Sequence, residues 1–204
     1  MGFVAMRRLL FAFLLLVSSP ALAGEQSAFV QKVLEGGYAQ VGTTLFYDSS
    51  YQHIAYPGGD VPIYRGVCSD VVVRAYRNAG VDLQLLVHRD MEEAFNAYPR
   101  MWGLSHPDAN IDHRRVPNLA VFFARHGQSL AVSTDAQDYL PGDIVTWRLS
   151  DGHPHIGLVS DHARDGKPLM IHNIGWGARI EDVLFDYTIT GHYRYAPTPQ
   201  ASSR

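Results

Sequence analysis

Cysteine is nearly absent from this chain of 204 residues, which contains a single one, Cys68. One cysteine forms no internal disulfide bond, so the small disulfide-stapled folds of many exported proteins are excluded. A lone thiol is either a small buried hydrophobe, the usual state of a free cysteine in a core, or a group retained for its chemistry. The residues around Cys68 and the partners that the fold gives it decide between these two roles.

The chain also lacks a hydrophobic run long enough to cross a membrane. The apolar stretch at residues 9–17 is shorter than the roughly 18–20 residues that a transmembrane helix needs. It follows a pair of arginines and precedes an Ala21-x-Ala23 site, which is the pattern of a cleaved secretory signal peptide. We therefore predict a signal peptide over residues 1–23, export across the inner membrane and a periplasmic location.

An excess of positive charge is absent as well. The chain has 17 Lys and Arg residues against 20 Asp and Glu, and removing residues 1–23 takes away two arginines and no acid, so the net charge changes from −3 to −5. A mildly acidic protein is poorly suited to bind nucleic acid or anionic lipid through bulk charge. We expect no nucleic acid partner and no integral membrane segment after cleavage of the signal. The oligomeric state is left open.

No repeat, low-complexity tract or linker divides the rest of the chain. We predict one domain over residues 24–196, followed by a disordered tail over residues 197–204, which is rich in Pro, Ser and Gln. Apolar spacings of three and four residues predict helices in the first half, and turn signals between short apolar runs predict strands in the second. Helices followed by antiparallel strands indicate an α+β fold. The predicted helices span 27–40, 68–79, 83–98 and 118–126, and the predicted strands span 130–133, 143–149, 155–160, 169–173 and 190–195.

Cys68 lies at the first position of the second predicted helix. The unpaired amides of a first helical turn and the positive end of the helix dipole favour a thiolate over a thiol. The same amides can receive the oxyanion that forms when a carbonyl carbon is attacked. The position therefore suits a nucleophile, although it does not exclude a structural cysteine.

Two histidines of the predicted sheet lie where they can assist this thiol. His155 begins a strand and alternates with Gly157, which leaves space beside the imidazole, while His172 lies among apolar residues of the next strand. Antiparallel pairing of these strands would put the two imidazoles side by side. One ring can then take the thiol proton while the other fixes its tautomer and orientation.

Four segments together resemble the NlpC-type cell-wall cysteine peptidases, which are circularly permuted, papain-like bacterial enzymes. They are the helix-initial Cys-Ser, then Pro-Gly-Asp-Ile-Val, His-Ile-Gly-Leu-Val and Met-Ile-His, within residues 45–175. The resemblance implies that Cys68 is the nucleophile, His155 the base and His172 the residue that orients it. It also implies a tyrosine ahead of two glycines, a position that Tyr56 occupies, whose hydroxyl would polarise the oxyanion or form a wall of the cleft.

The function implied by this resemblance is that of an exported cysteine hydrolase acting on peptidoglycan stem peptide. The favoured bond is D-glutamyl–diaminopimelate, cleaved through a thioester intermediate and without a cofactor. The same triad would also serve an amidase acting between muramic acid and L-Ala, or an acyl- or amide-transfer enzyme. A non-catalytic cell-wall binding protein that kept the fold is the third alternative.

Two departures from the family pattern indicate a divergent branch. The family usually has Asp-Cys-Ser-Gly where this chain has Val-Cys-Ser-Asp over residues 67–70, so an acid that family members use near the free amine of the substrate is missing. The block over residues 83–127 is not part of the family core. In these features the chain is similar to an uncharacterised group of exported Gram-negative proteins.

Several polar or aromatic residues are candidates for contact with the substrate. A charge run such as Asp112–Arg115 is more often a solvated loop, but arginine also holds carboxylates in bidentate fashion, and peptidoglycan stems are rich in carboxylates. His153 shares a strand face with His155, and Trp176 lies between two glycines at a possible cleft rim. The predicted substrate-binding residues are Ser69, Asp70, His113, Arg114, Arg115, His153 and Trp176.

A zinc site is the alternative use of the histidines. His153 and His155 form an H-x-H pair, and His162 and His172 follow. A catalytic zinc ion needs three protein ligands, and no H-E-x-x-H or Cys-x-x-Cys spacing is present in the sequence. We therefore predict no metal.

Overall fold

The computed structural model describes residues 20–197. Residues 1–19 of the predicted signal peptide and residues 198–204 of the predicted tail lie outside the described residues. Within the described part of the chain, no helix combines the length and the apolar character that a membrane span requires. The architecture is mixed, with helices preceding an antiparallel sheet, which confirms the predicted α+β class.

The described residues form four α-helices and three short 3-10 turns. Three of the predicted helices are confirmed to within a few residues, and the first begins earlier than predicted, at Pro20. The helices are α1 Pro20–Tyr38, α2 Cys68–Asn78, α3 Leu83–Ala94 and α4 Val116–His126, and the 3-10 turns are Phe95–Ala97, Asp112–Arg114 and Ala136–Asp138.

Two sheets of very different size accompany these helices. The strands are β1 Phe46–Tyr47, β2 Arg65–Gly66, β3 Gln128–Leu130, β4 Ile144–Arg148, β5 Pro154–Arg164, β6 Lys167–His172, β7 Arg179–Glu181 and β8 Thr188–Arg194. The first two pair in parallel, and the other six form an antiparallel sheet in the order β3-β8-β4-β5-β6-β7. Four of the five predicted strands match strands of this sheet, and the fifth, predicted over 130–133, overlaps β3 only at Leu130. Strands β1, β2 and β7 were missed because two or three residues are too few to show an alternation of apolar and polar side chains.

Helix α2 is the centre of the core and fixes the position of Cys68. Its apolar residues Val71, Val72 and Ala75 are fully buried and belong to one hydrophobic cluster with Ile156 and Leu158 of β5. The helix packs against α1 and against β5. Burial of this kind stabilises the fold in proportion to the apolar area removed from water. The start of α2 is therefore held rigidly against the strand that contains His155.

Candidate active site

Cys68 is the first residue of α2, and its neighbours fix the helix start. Val67 precedes it in an extended conformation, and its backbone N–H donates to Oδ2 of Asp70 at 2.7 Å. A carboxylate three residues into a helix that bonds back to the cap residue is a recognised way of stabilising a helix N-terminus. Cys68 is only 2% exposed. The prediction that the thiol sits at a helix start is confirmed.

The sheet register brings His155 and His172 together. His155 pairs with Trp147 on β4, and Leu158 pairs with Ile171 on β6, so Gly157 comes opposite His172. A Cβ atom on Gly157 would lie 3.1 Å from Cβ of His172, so the missing side chain lets the second imidazole reach the first. Nε2 of His155 and Nδ1 of His172 are 2.9 Å apart.

Glu181 extends this pair to a third group that sequence reasoning missed. It lies on β7, two residues beyond the partner of His172, and its Oε2 is 3.1 Å from Nε2 of His172. The oxygen is out of line with the ring N–H, so the contact is a general electrostatic one rather than a well-directed hydrogen bond. A carboxylate here favours a proton on Nε2 of His172, which makes Nδ1 the acceptor for the proton on Nε2 of His155. Nδ1 of His155 is then an unprotonated base.

Cys68 and His155 line one cavity of about 910 Å³. Its walls come from the loop before α2, the residues before α4 and the turn between β4 and β5. Among the lining side chains are Tyr47, Tyr51, Met101, Trp102, Arg114, Arg115, Asp151 and His153. A cavity of this size accommodates a short peptide segment or a drug-sized ligand.

Tyr47, rather than Tyr56, is the tyrosine beside the thiol. The hydroxyl of Tyr47 is 4.0 Å from Sγ of Cys68, because β1 pairs with β2 and sets Tyr47 beside Gly66. Tyr56 is exposed, packs edge-on against His88 with ring centroids 4.9 Å apart, and is not among the residues that line the cavity. The placement therefore does not support the catalytic role predicted for Tyr56. The pairing of two-residue strands gave no signal in the sequence that pointed to Tyr47.

Cys68 is a neutral thiol, whereas its position at a helix start predicted a thiolate. Burial raises the pKa of Cys68 to about 11, against the backbone N–H of Ile156 and the hydroxyl of Tyr47, which both lower it. Burial also lowers the pKa of His155 to about 3, with a further contribution from His172. Burial lowers the pKa of His172 as well, opposed by Glu181. The resting site thus contains a neutral thiol and neutral imidazoles, because desolvation outweighs the helix dipole.

The thiol of Cys68 and the imidazole of His155 line the same cavity but are not hydrogen-bonded to each other. Across residues 20–197, Sγ of Cys68 makes no hydrogen bond to either nitrogen of His155, and its side-chain contact is with Tyr47. Catalytic hydrogen bonds are often long in ligand-free structures and shorten when substrate binds. Movement of the thiol or the imidazole has to precede any proton transfer between them.

Two of the predicted substrate contacts are instead internal contacts of the fold. Asp70 and Arg114 form a buried bidentate ion pair, with Nε and Nη2 of Arg114 each 2.9 Å from a carboxylate oxygen. Arg114 also donates to the backbone carbonyls of Asp48 and Ser50, while the Ser69 hydroxyl donates to the carbonyl of Arg114 at 2.6 Å. Ser69 and Asp70 do not line the cavity. Their side chains join α2 to the loops around it, so their predicted role in substrate binding is not supported.

The other five predicted contacts divide between the cavity and its surroundings. Arg115 and the exposed His153 line the cavity. His113 is buried away from it, and burial lowers the pKa of its imidazole to about 3, with a contribution from Arg114. Trp176 is 77% exposed and is not among the lining residues. The structure thus places Arg114, Arg115 and His153 at the cavity, the first of them with its charge already paired.

No metal-binding constellation is assembled by the side chains of residues 20–197. Groups of three or more His, Cys, Asp or Glu residues with a suitable arrangement are absent from this range. His153 pairs with Asp151, and His162 stacks on Tyr38, so neither of them joins the pair formed by His155 and His172.

Comparison with known proteins places the chain in a family. The family described as a domain of unknown function, DUF1287, matches residues 34–195, which contain Cys68, both paired histidines and Glu181. The chain is also 58% identical over 164 residues to the uncharacterized protein YijF of Escherichia coli strain K12, and the alignment covers 80% of each chain. The chain therefore belongs to the DUF1287 family.

Proposed function

We propose that this protein is an exported, periplasmic cysteine hydrolase that cleaves an amide bond in peptidoglycan stem peptide. The favoured bond is D-glutamyl–diaminopimelate, and the fold is of the papain-like, circularly permuted NlpC type. One observation supports the proposal most strongly. Cys68, at a helix start, and His155 line one cavity, and behind His155 lies His172, 2.9 Å away and in contact with the carboxylate of Glu181.

The proposed reaction begins with attack of Sγ of Cys68 on the carbonyl carbon. The thiol proton moves to Nδ1 of His155 as the S–C bond forms, because a thiol with a raised pKa does not ionise beforehand. The backbone N–H groups at the start of α2 and the Tyr47 hydroxyl receive the oxyanion. His155 then gives its proton to the leaving amine as the C–N bond breaks, and a thioester remains on Cys68.

Hydrolysis of the thioester completes the cycle. A water molecule attacks the thioester carbonyl, and His155 takes the water proton on Nδ1 and returns it to the departing sulfur. His172 accepts the hydrogen bond from Nε2 of His155 throughout and stabilises the imidazolium as it forms. Glu181 shares that developing charge through its contact with His172.

The proposal is tested by digesting purified muropeptides with the full mature chain and weighing the products by mass spectrometry. Cleavage between D-glutamate and diaminopimelate supports the favoured reaction, whereas release of the whole stem from muramic acid identifies the amidase alternative. A product joined to an added amine identifies amide transfer. Unchanged muropeptides under several conditions of pH and salt would remove the enzyme proposal.

A non-catalytic binding protein is the second candidate, and one observation favours it. The thiol of Cys68 is buried, has a raised pKa and makes no hydrogen bond to His155 in the described residues. A protein of this kind would retain muropeptides on a column in both the native and Cys68→Ala forms, and neither form would change their mass.

The pKa of His155 sets the expected pH dependence. A general base acts in its neutral form, and burial keeps His155 neutral down to a pH near its lowered pKa of about 3. We expect kcat/KM to change less than about threefold between pH 7 and pH 5, whereas a base of pKa 6.5 loses roughly 20-fold or more. A pH–rate profile that falls with an apparent pKa near 6.5 would contradict the neutral, buried base.

Replacing Tyr47 with phenylalanine removes one proposed oxyanion donor and little else. We expect kcat to fall roughly 100-fold with KM nearly unchanged, because the hydroxyl acts on charge that develops only in the transition state. Tyr64→Phe, on the exposed surface beside β2 and outside the cavity, is the matched control and should stay within about twofold of the native rate. Equal rates for native enzyme and Tyr47→Phe would limit Tyr47 to a wall of the cavity.

Glu181→Gln keeps the shape of the side chain and removes its charge from His172. We expect kcat to fall about tenfold, equal to ~1.4 kcal/mol of transition-state stabilisation, because the imidazolium loses its counter-charge. Asp182→Asn is the control, since this neighbouring acid pairs with Lys167 instead. Glu181→Asp should recover part of the loss. A glutamine variant with native kcat would show that Glu181 does not act through His172.

A further inference from the structure

Arg115 presents an ordered guanidinium to the same cavity as Cys68. Its Cζ lies 4.1 Å from the centroid of the Trp102 indole, which holds one face of the guanidinium plane. Both side chains line the cavity. Stacking on an aromatic ring restricts an arginine without using its N–H groups, so the edge of the plane stays available for hydrogen bonds.

The N–H groups of Arg115 are little used within the protein. Its side chain makes one hydrogen bond within residues 20–197, from Nη1 to Oδ1 of Asp112 at the long distance of 3.5 Å. Arg114, the preceding residue, differs because it donates to both oxygens of Asp70 and to two backbone carbonyls. Both arginines line the cavity, but the N–H groups of Arg114 are occupied within the fold, whereas most of those of Arg115 are not.

The other charges at the cavity wall leave Arg115 as its positive centre. Asp151 and His153 pair with each other, with Nδ1 of His153 3.1 Å from Oδ2 of Asp151. Asp70 neutralises Arg114. Asp112 and Asp108 partly offset the charge of Arg115, but burial still lowers the pKa of Arg115, which means that this charge is incompletely stabilised by its surroundings. An anionic group entering the cavity would gain most at Arg115.

We propose that Arg115, held by Trp102, is a carboxylate-binding site that selects peptides with a free carboxylate near the bond attacked by Cys68. The inference rests on the proposed function and defines its substrate class. A carboxylate accepts two parallel hydrogen bonds from the guanidinium edge. A carboxamide brings N–H donors of its own against that edge and carries no charge, so peptides with amidated carboxyl groups are rejected.

Binding is measured by titration calorimetry with the full mature chain as Cys68→Ala, which prevents turnover. The probes are two synthetic forms of the tripeptide L-Ala–γ-D-Glu–meso-diaminopimelate, one with all carboxylates free and one with all of them amidated. We expect the acid form to bind at least about tenfold more tightly. In the Arg115→Gln background this preference should fall to about twofold or less.

Three further variants separate recognition from folding. Arg115→Lys keeps the positive charge but loses the paired N–H groups of the guanidinium and its stacking on Trp102. It should therefore retain only part of the preference for the acid tripeptide. Trp102→Ala removes a half-exposed side chain, so the protein should remain folded. The guanidinium of Arg115 then loses its stacking partner, and the preference for the acid tripeptide should fall severalfold. Arg89 is an exposed arginine outside the cavity, so Arg89→Gln should leave the preference for the acid tripeptide unchanged.

The inference is overturned if the acid and amidated tripeptides bind equally, if neither binds, or if Arg115→Gln and Trp102→Ala both keep the full preference. Cleavage by the native protein distinguishes this failure from failure of the proposed function. Equal cleavage of both forms would leave a hydrolase without the carboxylate site. A preference lost in Arg115→Gln, without any cleavage by the native chain, would leave the site without the hydrolase.

Discussion

His155→Gln should lower kcat for hydrolysis of the stem-peptide amide bond at least about 1000-fold. Glutamine retains a hydrogen-bonding group beside His172 but cannot take the proton of the Cys68 thiol. The loss should be large here because burial raises the pKa of that thiol to about 11, so very little thiolate exists at neutral pH unless a base removes the proton. The initial rate of product formation, followed by mass spectrometry, measures the effect.

His162→Gln is the matched control for this variant. His162 lies on the same strand, is exposed and stacks on Tyr38 instead of facing the cavity. Its replacement should leave kcat within about twofold of the native value. An unchanged far-ultraviolet circular dichroism spectrum of His155→Gln would show that the variant is folded, so that its lower kcat is due to the missing imidazole. If His155→Gln hydrolysed the substrate within tenfold of the native rate, His155 would not be the base.

Breaking the buried ion pair between Asp70 and Arg114 should have the largest effect on stability. The two side chains are 3% and 2% exposed, so removing one partner leaves the other as an unpaired buried charge. We expect Arg114→Met to lower the free energy of unfolding by about 3–5 kcal/mol, measured by urea denaturation. The double variant Asp70→Leu/Arg114→Met should recover much of this loss, because both charges are removed together.

An exposed ion pair supplies the comparison for that measurement. Lys167 and Asp182 are 3.0 Å apart, with Lys167 nearly half exposed. Replacing Lys167 with methionine should cost about 1 kcal/mol or less, because solvent screens such pairs. If Arg114→Met cost no more than Lys167→Met, then the ion pair of Asp70 and Arg114 would not be what joins α2 to its neighbouring loops.

The parts of the site that follow from local pattern could be predicted from the sequence. Cys68 begins α2 as expected, since a polar start, an apolar stripe and a closing glycine are local signals. The contact between His155 and His172 follows from antiparallel pairing of neighbouring strands joined by a tight turn, with Gly157 providing the space. In both cases the interacting residues are close in sequence or in adjacent elements.

The parts that depend on long-range packing could not be predicted. Tyr47 reaches Cys68 through a parallel pair of two-residue strands, and Glu181 reaches His172 from a three-residue strand at the sheet edge. Neither strand is long enough to show the alternation of apolar and polar residues that predicts a strand. Asp70 was predicted as a substrate contact, but it is buried in an ion pair with Arg114, which lies 44 residues away in the sequence.

The prediction of a thiolate at Cys68 was wrong for a different physical reason. The helix dipole and first-turn amides are local and visible in sequence, and they favour a thiolate. The degree of burial is a property of the whole fold, and at Cys68 it dominates. A general base close to the thiol is therefore more important to the proposed mechanism than the sequence alone indicated.

The most direct test of the central claim is the rate at which Cys68→Ala hydrolyses a purified muropeptide, relative to the native chain, with a metal chelator present in both assays. If Cys68 is the nucleophile, the native chain should cleave the stem peptide and Cys68→Ala should be slower by at least about 1000-fold. Hydrolysis by Cys68→Ala at a rate within tenfold of the native chain would contradict the account.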